Sequence, residues 1–123
     1  MGRPRKYERV EDLEKAIDRF FDKCDERDEP YTISGLSLAL GFESRQTLLN
    51  YCEYNDENDK PFLDAIKNAK ARCEANVEIG LLSGKYNTTG AIFNLKNNYK
   101  WKDKQEIEAD LKQETTIRVD LVD

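Results

Sequence analysis

Histidine is absent from all 123 residues. Its absence excludes a His-based catalytic dyad or triad and every zinc site that needs imidazole. Cysteine is scarce: Cys24, Cys52 and Cys73 are odd in number, far apart and without a C-x-x-C pair. They read as free thiols in a reducing cytoplasm. No apolar run approaches the roughly 20 residues of a membrane span, and the N-terminus lacks the apolar stretch of a signal peptide. There is also no P-loop, no Gly-rich phosphate cradle and no nucleophile–base pair. Ser34-Gly35 and Ser83-Gly84 read as helix punctuation. The carboxylates are not framed by an apolar motif that would tune them. The acidic stretch 54–60 lacks the Gly and the terminal Glu of a calcium loop. The expectation is a chain with no catalytic residues, no cofactor and no metal.

Apolar types make up 38% of the chain and charged types 37%, with a mean hydropathy of −0.84. A core of modest size is affordable, with little stability to spare. Net charge is −5, which excludes an all-over basic nucleic-acid binder, yet the charge is unevenly spread. Residues 1–9 carry Arg3, Arg5, Lys6 and Arg9 against Glu8. Residues 87–104 carry Lys96, Lys100, Lys102 and Lys104 against Asp103. Acids dominate 10–29, 53–60 and 105–123. Because steering toward phosphate depends on local field, two basic patches on an acidic protein suffice to hold DNA. The other reading is that both clusters are solvated surface, and that the arm is a plain tail.

Helical periodicity dominates. Leu13, Ala16, Ile17, Phe20, Phe21 and Cys24 form one stripe of a 3.6-residue repeat, predicting a helix over 10–26. Pro30 bars its continuation. Thr32 is placed to cap a short helix ending at Leu40, and Gly41 sits where the chain must turn with positive φ. Phe42 plugs that turn. Ser44 caps a second short helix, from Arg45 to about residue 53, with Leu48, Leu49 and Cys52 as its buried side. Two short helices around a Gly turn spell a helix-turn-helix, whose second helix offers its N-terminal residues to a major groove. Those residues are Ser44, Arg45, Gln46 and Thr47, with Asn50 one turn on. Arg, Gln and Asn pair bidentately with guanine or adenine edges. A plain αα-hairpin within a bundle fits the same pattern.

Pro61 suits the first turn of a long helix, and Gly84 suits its end. Phe62, Ile66, Ala69, Cys73, Val77 and Leu81 make a seam along about 33 Å, at 1.5 Å per residue. The seam either packs against other subunits or fills the chain's own core. Thr88 or Thr89 caps a further helix through Leu95, after which Tyr99 and Trp101 pack back on the core. Residues 105–112 read as a short acidic helix or coil. Over 115–122 the period changes to two, with Ile117, Val119 and Leu121 on one side. A lone strand leaves its backbone groups unpaired, so it pairs with another chain or frays as a tail.

The sequence resembles the phage small terminase subunits, a group of DNA-packaging proteins. The residues that carry this are the Gly2-Arg3-Pro4-Arg5-Lys6-Tyr7 opening, the Phe20-Phe21 pair and Tyr31-Thr32-Ile33-Ser34-Gly35-Leu36. The runs Phe62-Leu63-Asp64-Ala65-Ile66-Lys67-Asn68-Ala69-Lys70 and Gly90-Ala91-Ile92-Phe93-Asn94-Leu95-Lys96-Asn97-Asn98-Tyr99-Lys100-Trp101-Lys102-Asp103 extend it over residues 2–106. The resemblance implies a non-enzymatic subunit acting in the host bacterial cytoplasm. It recognises the packaging site on double-stranded viral DNA and recruits and regulates the large terminase, an ATPase and nuclease. Such subunits form rings, here of eight or more copies.

The expected architecture is all-α with one short C-terminal strand that pairs between subunits. A flexible basic arm (1–9) precedes a helix-turn-helix head (10–60), a helical oligomerisation region (61–104) and a tail (105–123). DNA contacts are expected from Arg3, Arg5, Lys6, Ser44, Arg45, Gln46, Thr47, Asn50, Lys100, Lys102 and Lys104. Subunit contacts are expected from Phe62, Ile66, Cys73, Val77, Leu81, Ile117, Val119 and Leu121. A dimeric helix-turn-helix transcriptional regulator is the alternative.

Overall fold

A computed structural model describes residues 7–53 and 57–122, with side chains described as far as 113. The described residues form α-helices and one 3-10 turn, with no strand. The first helix, α1, spans Val10–Glu26, where the apolar stripe placed it. Glu11 and Asp12 at its start and Lys23 in its last turn complement the helix dipole. It stops before Pro30 is reached. Asp28 takes a left-handed φ of 52°, and the N–H of Glu29 returns to the carbonyl of Cys24 at 2.8 Å. Asp is among the few side chains that tolerate this conformation.

Next come α2 (Ile33–Leu40) and α3 (Arg45–Cys52), eight residues each. Both are capped by the residues that the sequence points to. Thr32 Oγ1 accepts from the N–H of Gly35 at 3.0 Å, and Ser44 Oγ from that of Thr47 at 3.2 Å. Such a cap is worth about 1 kcal/mol. Gly41 turns the chain at φ 86°, and the Phe42 N–H closes α2 on the carbonyl of Ser37. Phe42 is buried, with its ring 5.9 Å from that of Tyr51.

A 3-10 turn (Glu57–Asp59) leads into α4, Lys60–Ser83, with Pro61 in its first turn and Gly84 ending it at φ 77°. The seam on α4 turns inward. Phe62, Ile66 and Cys73 lie in one cluster with Leu13, Phe21, Leu36, Leu40, Leu48 and Tyr51. Val77 joins a second, smaller cluster with Ala91 and Leu95, and Leu81 packs half-buried against it. These five residues, expected at subunit contacts, are therefore occupied by the chain's own core. An apolar face of α4 meets α1 and α3 first, because they are tethered to it and close at little entropic cost.

Helix α5 spans Thr88–Tyr99. Its cap is Asn87, which accepts from the Gly90 N–H at 2.8 Å, rather than Thr88 or Thr89. The helix continues one turn past Leu95 to a left-handed Lys100. Gly80 on α4 admits Tyr86: a Cβ there would lie 2.1 Å from the tyrosine ring.

The last helix, α6, covers Lys104–Val122 and replaces the expected strand. Ile117, Val119 and Leu121 thus lie on helical backbone, and their side chains fall outside those described. Two causes act together. Residues 104–114 are rich in strong helix formers, and the Glu106 N–H is capped by Asp103 Oδ1 at 2.8 Å. Once started, a helix satisfies its own backbone, whereas a strand needs a partner edge. Among the described residues α6 has no extended packing with the other helices. No described helix is long and apolar enough to cross a membrane. At the other end Tyr7, expected within the flexible arm, is buried against the main cluster.

Candidate nucleic-acid interface

Helix α3 is built to expose one face. Leu48, Tyr51 and Cys52 hold it to the core, while Ser44, Arg45, Gln46 and Asn50 are exposed and Thr47 is half-buried. Ser44 and Thr47 are engaged with each other as the cap, their hydroxyl oxygens 3.1 Å apart. Arg45 Nη1 donates to Asn98 Oδ1 on α5 at 2.8 Å. Gln46 Nε2 donates to Asn50 Oδ1 at 2.9 Å, an i, i+4 pair along the helix.

This face is one wall of an open groove of about 240 Å³. Gln46, Leu49, Asn50 and Glu53 line it from α3, Lys70 from α4, and Asn97, Asn98 and Lys100 from the end of α5. Four amides and two ammonium groups therefore face one carboxylate. Lys100 Nζ lies 3.0 Å from Glu53 Oε1. That hydrogen bond, with lesser help from the charges of Lys70 and Lys67, holds the Glu53 carboxyl below the usual glutamate range. Amides and cations together suit an anion that also carries hydrogen-bond acceptors, as a nucleic-acid backbone does.

The structure thus brings Gln46, Asn50 and Lys100 to one groove, with Arg45 bonded to Asn98 at its edge, and leaves other predicted residues outside it. Lys102 pairs with Asp110. Lys104 opens α6 and is exposed. Lys96 is held by Glu106 and Asp103, and these hydrogen bonds raise its pKa above the ordinary lysine value. The lysine cluster that looks strongly positive in sequence is largely neutralised by acids of α6 and by Glu53. Arg3, Arg5 and Lys6 lie outside the described residues.

Lys70, Asn97, Asn98 and Glu53 were not singled out by the sequence. The spacing of Lys67 and Lys70 on the polar side of α4 was the available signal. The Asn97-Asn98 pair was hidden because α5 was expected to end at Leu95. Trp101, expected to pack back on the core, is exposed and joins neither cluster: its Nε1 donates to Glu74 Oε2 at 2.7 Å, and the indole borders a small apolar hollow with Leu81, Ile92 and Leu95. Tyr99 inserts between the two clusters, and burial drives its pKa well above the ordinary tyrosine value.

The apolar surface left open lies elsewhere than the α4 seam. Large apolar side chains left exposed are Ile79 and Leu82 on α4, Phe93 on α5 and Leu111 on α6, at 66%, 79%, 69% and 57% exposure. Leu38 on α2 is exposed as well.

A family model described as DNA-packaging protein gp3 matches residues 2–107 of the chain. No curated protein and no solved structure matches it.

Proposed function

From the premise that this chain belongs to the gp3 family of DNA-packaging proteins, we propose that it is the small terminase subunit of a tailed phage. In this role it recognises the packaging site on viral duplex DNA, recruits and regulates the large terminase, and carries no catalytic activity itself. The observation that carries the reading is the exposed face of α3, where Gln46 and Asn50 border a groove completed by Lys70, Asn97, Asn98 and Lys100, and Arg45 holds Asn98 from the same helix. Helix α3 then acts as the recognition helix of a helix-turn-helix. Arg45, Lys104 and the arm cations Arg3, Arg5 and Lys6 supply most phosphate contacts, with Lys100 and Lys102 contributing once their ion pairs open.

A single copy carries a net charge of −5, which opposes a polyanion, so its affinity for DNA is low. Eight or more copies closed into a ring raise the effective concentration of every further contact. Ile79, Leu82 and Phe93 offer the apolar surface for those subunit contacts, since the α4 seam is buried within the chain.

The test joins mass and binding. Native mass spectrometry of the full chain should give a ring of at least eight copies. A filter-binding titration on a duplex carrying the packaging region should weaken steeply with salt. Replacing Arg3, Arg5 and Lys6 together by Ala should lower the salt slope by about 2.7, near 0.9 per phosphate released. A dimer that binds only a palindrome would assign the head to a transcriptional regulator instead. A monomer indifferent to the phage's own DNA would end the packaging reading.

A further inference from the structure

Glu53 is out of place on local grounds. It is the C-cap of α3, where the helix dipole is negative and a carboxylate is disfavoured. What compensates it is tertiary: Lys100 at 3.0 Å, with Lys70 on the same groove wall. The pair is open to water, the Lys100 and Glu53 side chains being 80% and 62% exposed. An exposed pair of this kind adds little to stability, so the fold has small need of it. Arg45, nearer the start of α3, contrasts with it: its partner Asn98 is a neutral amide, and no carboxylate among the described residues pairs with the guanidinium.

We propose that the groove between α3 and α5 is a seat for one backbone phosphate of duplex DNA, and that Glu53 is its resident competitor. The carboxylate occupies Lys100 in the free protein as a phosphate oxygen would in the complex. An ammonium-to-oxygen separation of 3.0 Å is near that of a charge-assisted hydrogen bond to either anion. When DNA enters, a phosphate oxygen takes Lys100 Nζ and Glu53 is displaced but stays close, as a like charge. Gln46, Asn50, Asn97 and Asn98 donate amide N–H groups to the backbone without adding charge. Glu53 therefore holds single-copy affinity down, and only a site engaged by several copies at once displaces many such carboxylates. This rests on the DNA-binding reading above.

The experiment uses the full chain and a fluorescently labelled duplex, with anisotropy read over a salt series. Glu53→Gln keeps the size and hydrogen bonding of the side chain and removes its charge. It should tighten binding about two- to fivefold at low salt, the range that one exposed charge pair commands. It should also steepen the salt slope by up to about 0.9, because a phosphate now meets an unoccupied lysine. Lys100→Gln should weaken binding, and in the Glu53→Gln/Lys100→Gln double variant most of the gain should vanish. Circular dichroism checks that each variant is folded. If the wild type binds and Glu53→Gln binds equally or more weakly, the competitor role is overturned while DNA binding stands. If neither binds any duplex, the DNA-binding reading falls and the phosphate seat with it.

Discussion

The two parts of α4 lie in different surroundings. Its longer part, up to Cys73, sends Phe62, Leu63, Ile66, Ala69 and Cys73 into the cluster shared with α1, α2 and α3. There the aromatic rings are also arranged: Phe21 meets Tyr31 edge-on at 4.7 Å, and Arg72 lies over Phe21 at 3.9 Å. Its shorter part commits only Val77 and Gly80 to full burial and leaves Ile79 and Leu82 facing solvent. The first region closes on itself. The second is a two-helix hairpin with a thin core and apolar surface to spare, followed by a helix with little packing of its own. One helix therefore has a self-sufficient end and an end suited to meeting another surface, a division that fits a head carried by an assembling base.

Three experiments test this contrast. The largest effect is expected at Leu36, fully buried in the first cluster. Leu36→Ala should cost about 3–5 kcal/mol in urea denaturation, whereas Leu95→Ala in the smaller cluster should cost nearer about 2, because its neighbours can relax. Equal losses would remove the distinction between a thick and a thin core.

Gly80→Ala comes next. Its Cβ would overlap the Tyr86 ring, and overpacking costs about 1–3 kcal/mol, less about 1 kcal/mol recovered from helix propensity. Net destabilisation should appear as faster amide hydrogen exchange in α5, with α1 unchanged. Slower exchange throughout would mean that the seat of Tyr86 contributes nothing.

The smallest effect on the isolated chain is expected from the Leu82→Ser and Phe93→Ser pair, within about 0.5 kcal/mol for each exposed side chain. The same pair should shift sedimentation velocity toward smaller species. Unchanged sedimentation would take these residues out of the subunit contacts. The buried thiols give a further marker for the first region. Cys73 is pushed up to about 12 by burial, so in the native state it should resist alkylation until that core opens.

Residues 10–84 were largely legible before any coordinates, because each boundary there has a local cause. The stripe from Leu13 to Cys24 needs only the 3.6-residue period. Thr32, Ser44, Gly41 and Gly84 act within three or four residues of themselves. The exposed face of α3 followed from its buried one. The groove did not, because Lys70, Asn98 and Arg45 are distant in the chain and meet only when α5 folds back along α4. The strand reading at 117–121 failed for a related reason. Five alternating residues are compatible with either geometry, and the choice depends on what lies beside them.

What could be read from the order of residues was therefore whatever is settled within a turn or two of helix: where α1 to α4 begin and end, which faces are apolar, and that the charge is patchy. Folding in three dimensions settled which apolar face stays inside and which cations remain uncompensated. Caps and periodicity are short-range and written in neighbouring residues. Burial and ion pairing depend on distances between remote segments, such as the 3.0 Å from Lys100 to Glu53, that come into being only when the helices pack.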